Sequence, residues 1–171
     1  MVFCIGCDRA TKSVAVSVLP ETKVFSYLGD TIRLQLDYNR GAFLSLGSTL
    51  PEVWRQGILA LGTGVMLLGA LAFAFLSKPG RTSVVFAIAL ICAGGVGNLF
   101  DRVTHGGMVV DFINLGIGSV RTGIFNVADV AITLGVIILF CTAFPLQKKE
   151  CLSVISHRTR GPSRFARRGL R

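Results

Sequence analysis

From Gly57 to Leu76 the chain runs through an apolar stretch that is interrupted only by Thr63 and is rich in Gly and Ala. A run of about 20 such residues matches the hydrocarbon core of a bilayer, roughly 30 Å thick, at 1.5 Å per helical residue. Its small residues suit close helix packing in lipid. This segment marks the chain as a membrane protein, and every other segment has to be read against a bilayer. The composition agrees: 51% of the residues are hydrophobic and 16% charged, with a mean hydropathy of +0.64, too apolar for an ordinary soluble domain. With 171 residues there is room for one domain or a handful of spans, and a large multidomain enzyme is excluded.

Two further apolar runs, Val84 to Phe100 and about Ile124 to Leu146, each carry polar residues at one end. The segment from Val2 to Leu19 is apolar except for Asp8, Arg9, Thr11, Lys12 and some serines, lacks a signal-peptide cleavage pattern, and reads as a fourth, weaker span. The expected fold class is therefore a mainly α membrane protein with four transmembrane helices (about 2–19, 57–76, 84–100 and 124–146). Residues 1–147 form a single integral-membrane unit in this reading. The stretch Ser77-Lys78-Pro79-Gly80-Arg81 is a short basic turn, and residues 148–171 are a basic tail, expected to be disordered. The positive-inside rule puts both in the cytoplasm, so both termini are inside and residues 20–54 and 101–124 face outward. In the first of these, Lys23 to Tyr27 and Thr31 to Tyr38 alternate apolar and polar around Gly29-Asp30, which is a hairpin signal. A small extracytoplasmic β-sheet within about 20–50 follows.

Lys and Arg number 18 against 9 Asp and Glu, a net charge of +9, which suits an anionic lipid surface or a nucleic acid. The tail has only Phe165 for stacking and no folded motif, which argues against nucleic acid. The five cysteines do not pair evenly and support neither a disulfide framework nor a zinc site; Cys4-x-x-Cys7 has no second pair, and buried small hydrophobes are the simpler reading.

From Val53 onward the only carboxylates are Asp101, Asp111, Asp129 and Glu150, and the three aspartates fall at the outer ends of the third and fourth spans or in the loop joining them. Ionisable groups at membrane depth are costly and by default face the bundle interior or a wet cavity. Asn98, Asp101 and Arg102 share one helical face, as do Asn126 and Asp129. Asp101 beside Arg102 reads as structural, a helix N-cap or half of a buried ion pair with Arg102. Asp111 and Asp129 have no adjacent basic partner and read as functional. Two carboxyls on one site split their proton affinities, so one serves as general base and the other as general acid. Such a pair hydrolyses an amide with water and needs neither metal nor cofactor. His105 and His157 stand alone, which leaves Ser/His/Asp and zinc arrangements undersupplied. Asp8 and Lys12, at i and i+4, read as a buried pair supporting the fold, and Gly94, Gly95 and Gly97 as points of close helix approach.

Five segments occur in the order seen in lipoprotein signal peptidases: Asp8 to Lys12, Asn39 to Phe43, Gly94 to Arg102, Val109 to Phe112, and Phe125 to Asp129. The chain thus resembles the signal peptidase II family over residues 8–129. The resemblance implies a four-helix aspartic endopeptidase of the bacterial inner membrane that cuts prolipoproteins N-terminal to a diacylglyceryl-modified cysteine. It makes Asp111 and Asp129 the catalytic pair and puts Asn98, Arg102 and Asn126 in the substrate site. Asn39 and Gly41 border that site on the substrate side, while Asp8, Lys12 and Asp101 support it. The inferred sheet resembles the family's β-cradle over the active site. Arg9 replaces the family's usual glutamine, Ala42-Phe43 stands for two alanines and a phenylalanine, and the stretch from Asp101 to Asp111 is about one residue longer. Seven residues before Asp8 give about 10 Å of helix, short for half a bilayer, which points to an upstream start. The expected partners are the lipidated precursor and membrane lipids. The alternative reading is a non-catalytic membrane binding protein or small transporter that uses the same polar cluster.

Overall fold

The computed structural model describes residues 1–41, 51–76 and 82–143. The elements in chain order are α1 (Val2–Val18), β1 (Phe25–Tyr27), β2 (Ile32–Asn39), α2 (Glu52–Leu76), α3 (Thr82–Thr104), β3 (Val109–Ile117), β4 (Val120–Arg121) and α4 (Val127–Ala143). Each apolar run is a helix. Relative to the sequence boundaries, α2 begins earlier, α3 continues past Phe100, and α4 starts only after Asn126. The basic turn at residues 77–81, Ala42-Phe43 and the tail lie outside the described residues.

Two segments are long and apolar enough to cross a bilayer by length and composition, Gly57–Leu76 with mean hydropathy 2.2 and Thr82–Thr104 with 2.1. The shorter Val127–Thr142 is also apolar. At the centre stands α3, which packs against α4, α2 and α1. Its glycines permit this. A Cβ on Gly94 would collide with the Ala128 carbonyl and lie 2.7 Å from Ile132 Cγ1, and one on Gly95 would lie 2.6 Å from Leu67 Cδ2. Leu67, Val84, Ile88 and Cys92 form the buried cluster, flanked by Ala70, Ala74, Val96, Leu99 and Leu139. The outward faces are as apolar as this core: Leu61, Val65, Leu68 and Phe75 on α2, Val85 and Phe86 on α3, and Val136, Ile137 and Phe140 on α4 are all exposed. A continuous exposed apolar surface of this kind is a liability in water and a match for lipid.

The hairpin forms where the alternation placed it. Leu28, Gly29 and Asp30 all take positive φ, at 52°, 61° and 73°, and the Asp30 side chain stabilises the bend by accepting from Ser26 Oγ at 2.7 Å and from Arg33 Nε and Nη2 at 2.7 and 2.6 Å. Those Arg33 bonds, with that from Ser26, hold the Asp30 carboxyl well below the usual carboxylate range. The sheet is larger than the hairpin, however. Four antiparallel strands run in the order β1-β2-β3-β4, so the expected loop between α3 and α4 is largely strand. Pairing of β2 with β3 runs from Ile32 opposite Leu115 to Asn39 opposite Val109, with an irregularity between Leu34 and Asp37. The Phe125 carbonyl accepts from the Phe112 and Ile113 N–H groups at 3.1 and 2.9 Å, fastening the residues before α4 onto β3.

Cys4, Cys7, Cys92 and Cys141 are free thiols, and of these only Cys92 is buried. The expectation of buried small hydrophobes therefore holds for Cys92 alone. Cys4 and Cys7 are half-buried, and Cys141 is exposed on α4.

Candidate active site

The site is built around the first turn of α4. A helix start leaves its first N–H groups without partners, and here side chains take them up. Asn126 precedes the helix and accepts from the Asp129 N–H at 3.0 Å, while Asp129 Oδ2 accepts from the Asn126 N–H at 3.3 Å. This is the reciprocal geometry of a capping box. Asp8 of α1 accepts from the Ala128 N–H at 3.0 Å. The positive end of the helix dipole favours both carboxylates.

Asp111 arrives from β3 and is 1% exposed. It accepts from Asn126 Nδ2 at 2.6 Å and from Asn39 Nδ2, at the end of β2, at 2.9 Å. Burial pushes its carboxyl up to about 7 against the Asn39 amide, with the charge of Asp129 adding to the push. Asp129 is half-buried and accepts from Asn98 Nδ2 at 2.9 Å. Asn98 Oδ1 in turn accepts from Asn126 Nδ2 at 3.1 Å and from Lys12 Nζ at 3.0 Å. The Asn98 and Asn126 amides thus join the two aspartates into one polar cluster.

Behind the amides lies a charge network. The Lys12 ammonium has three donors and three acceptors in reach: Asn98, Asp8 Oδ2 at 3.0 Å and Asp101 Oδ2 at 2.8 Å. Asp8, Lys12 and Asp101 are all at most 2% exposed. The expected Asp8–Lys12 pair is present. The expected Asp101–Arg102 pair is not: Asp101 binds Lys12, Arg9 and the Val110 N–H instead. Neighbouring residues on a helix point about 100° apart, so adjacent charges do not face each other. Arg102 instead donates Nη2 to the Gly41 carbonyl at 3.2 Å, while its Nε is buried without a partner among the described residues. Asn39 Oδ1 accepts from the Gly41 N–H at 2.9 Å. Gly94 and Gly95 pack helices rather than touch the cluster, and Gly97 leaves room for Asp8, whose Oδ2 would lie 2.6 Å from a Cβ there.

Sequence reasoning treated Arg9 only as a departure and did not find Asn114 or Arg121. Arg121 on β4 donates to Asn114 Oδ1 at 2.5 Å and to the Asp30 carbonyl at 2.7 Å, tying the hairpin turn to the far edge of the sheet. Contacts across 91 residues leave no local signature. Next to Asp129 opens an apolar cavity of about 420 Å³, lined by Arg121, Thr122, Gly123, Phe125, Asp129, Val130, Thr133 and Leu134. Among the described residues, no group of three or more His, Cys, Asp or Glu side chains is placed to hold a metal ion.

The two aspartates are joined through the Asn98 and Asn126 amides at the head of an apolar helical bundle, beside a small sheet. The chain belongs to the signal peptidase II family: the family model described as Signal peptidase (SPase) II matches residues 1–145. It is 38% identical to a lipoprotein signal peptidase of Chlorobium phaeobacteroides over 157 residues, 85% of this chain and 90% of the relative. It is 37% identical to that of Streptococcus pneumoniae over 135 residues, 79% and 83% of the two chains. Its fold is similar to that of a bacterial membrane enzyme solved by the in meso method at 2.3 Å, with a TM-score of 0.71 at 24% identity, covering 97% of this chain and 91% of the other. A second such enzyme, at 1.9 Å, gives a TM-score of 0.70 at 27% identity, covering 84% and 88%. The chain is therefore an enzyme of the aspartic peptidase class, and the binding-protein or transporter reading falls away.

Proposed function

We propose that this enzyme removes the signal peptide of diacylglyceryl-modified bacterial prolipoproteins, cutting N-terminal to the lipidated cysteine, with Asp111 and Asp129 as the catalytic pair. The observation that carries this reading is the convergence of Asp111 and Asp129 on the Asn98–Asn126 amides in a chain whose relatives are lipoprotein signal peptidases. Two carboxyls so placed hold one proton between them at neutral pH. Burial raises the Asp111 carboxyl to about 7, which supports Asp111 as the acid of the pair. Ionised Asp129 takes a proton from water as its oxygen attacks the scissile carbonyl carbon, and Asp111 donates its proton to the carbonyl oxygen. The gem-diol intermediate collapses with cleavage of the C–N bond as Asp129 passes its proton to the leaving nitrogen and Asp111 takes a proton from a gem-diol hydroxyl, which restores the starting pair. The reaction calls on no cofactor.

Asn98, Asn126, Asn39 and Gly41 border this site, and Arg102 supplies a cation beside it. Asp8, Lys12 and Asp101 hold the frame, and Gly94 and Gly95 let α3 approach its neighbours. The apolar cavity at Asp129 suits the hydrocarbon part of a lipidated substrate. We further infer four membrane-crossing helices in the bacterial inner membrane, with both termini in the cytoplasm, the sheet and aspartate pair at the outer face, and residues 148–171 a cytoplasmic tail. The 17 residues each of α1 and α4 give about 26 Å of helix, close to the hydrocarbon thickness, and the exposed faces are apolar. The test is precursor processing in a host lacking its own lipoprotein signal peptidase. Mature lipoprotein should appear with the wild-type chain and not with Asp129→Asn; an unprocessed precursor in both would refute the reading.

A further inference from the structure

Arg9 follows Asp8 on α1 and faces a different partner. Its guanidinium Nη1 bonds Asp101 Oδ1 across 92 residues, and its Cζ lies 4.3 Å from the Phe100 ring centroid. The other Asp101 oxygen takes Lys12 Nζ at 2.8 Å and the Val110 N–H at 3.2 Å. Asp101 is thus a common anchor for both branches of the site. Through Lys12 and Asn98 it reaches Asp129; through Val110 it fixes the strand residue next to Asp111.

The charges of Asp8, Lys12 and Asp101 balance only if Arg9 is counted. Asp8 and Asp101 are two buried carboxylates, and Lys12 is one ammonium. The remaining charged or titratable groups nearby do not neutralise Asp101. Arg102 of α3 donates to the Gly41 carbonyl, and its charge acts on Asp129 and Asp111 ahead of Asp101. His105 meets the Asp101 backbone carbonyl at 3.2 Å rather than the carboxylate. Asp129 from α4 adds negative charge, and Asp111 from β3, which holds the proton of the pair, adds none. Without Arg9, the buried core would carry an uncompensated negative charge on Asp101, linked to Asp129 through Lys12 and Asn98. At an effective dielectric near 20 such a charge moves a carboxyl titration by on the order of one pH unit. Arg9 is one third exposed, so solvent screens part of its charge, but the carboxylate it neutralises is fully buried.

We propose that Arg9 is a positioning residue that neutralises Asp101 and thereby sets the pH range in which the aspartate pair works. This rests on the reading of Asp111 and Asp129 as the catalytic pair, and the experiment separates the two. The pH profile of precursor cleavage is measured in membranes for wild type, Arg9→Gln, Arg9→Lys and the double variant Arg9→Gln/Asp101→Asn, with Asp129→Asn as the blank. Removing the cation disfavours ionised carboxylates, so Arg9→Gln should move both limbs of the profile upward by about half to one pH unit. Arg9→Lys should keep the wild-type limbs, and the double variant, which restores charge balance, should bring them back. Arg9→Gln limbs coincident with wild type would overturn the proposal whatever the yield, and so would an equal shift in Arg9→Lys. If Arg9→Gln does not accumulate, the double variant decides, since displaced limbs there overturn the charge argument and wild-type limbs support it. Absence of cleavage by the wild-type chain would instead refute the catalytic reading itself.

Discussion

The backbone N–H of Ala128 donates to Asp8 Oδ1 at 3.0 Å, so α1 caps α4 across 120 residues. Asp8 also faces the Lys12 ammonium at 3.0 Å. Asp8→Ala removes both contacts inside a region that water does not reach. Breaking one side of a buried pair costs roughly 3–5 kcal/mol. The expected result is a large fall in thermal stability of the detergent-solubilised protein and in yield, with a smaller fall in turnover per folded molecule. Unchanged stability with complete inactivity would move Asp8 into the catalytic group.

Asp111→Asn and Asp129→Asn should each abolish cleavage and leave membrane insertion and yield nearly unchanged. A neutral isostere keeps the amide contacts at Asn39, Asn98 and Asn126 within reach but cannot cycle a proton. General acid–base catalysis contributes at least about 100-fold, so a variant retaining a tenth of wild-type activity would remove that residue from the mechanism.

Activity should also fall as pH rises through about 7, the value to which burial raises Asp111. The sign follows from the role: the proton that Asp111 donates is present below that value and lost above it. A cleavage profile in detergent, run with the same lipidated precursor from pH 5 to 9, measures the alkaline limb. A rate still rising above pH 8 would mean that Asp111 does not act as the acid.

The helices were legible because apolar runs and the bilayer thickness fix each other, and the hairpin because Gly29-Asp30 interrupts a clean alternation. The strand carrying Asp111 was not. Val109 to Ile117 has no consistent alternation, since its first four residues are all buried, and its pairing partner β2 lies some 70 residues earlier in the chain. The aspartate pair itself stood out because carboxylates are scarce after Val53. The partners of Asp101 did not, because Arg9 and Lys12 come from another helix and the adjacent Arg102 offered a misleading local match. A residue's charge is visible in a sequence; the direction in which a helix turns it toward a distant neighbour is not.

Gly94 lies where α3 meets the Ala128 carbonyl and the Ile132 side chain of α4. Gly94→Ala pushes a methyl group into backbone that cannot yield without moving a helix, and overpacking of this kind costs about 1–3 kcal/mol. Because Asn98 and Asp129 ride on these two helices and share a 2.9 Å bond, turnover should fall along with thermal stability. Gly6→Ala serves as control, since nothing lies within 4 Å of its added methyl, and should change neither. Equal tolerance at both positions would contradict the close helix approach.

Asn126 does two jobs that a pair of substitutions can separate. Its Oδ1 caps α4 at the Asp129 N–H, and its Nδ2 donates to Asp111 at 2.6 Å and to Asn98 at 3.1 Å. Asn126→Ala loses both, and the cap alone is worth about 1 kcal/mol. Asn126→Ser restores a good N-cap oxygen but is too short to bridge to Asp111 with an amide. Thermal stability should therefore fall in the alanine variant and recover in part in the serine variant, while cleavage stays at least about tenfold down in both, the cost of a buried carboxyl left short of a donor. Full activity in Asn126→Ser would show that the cap positions Asp129 unaided and that the amide bridge to Asp111 plays no part in the reaction.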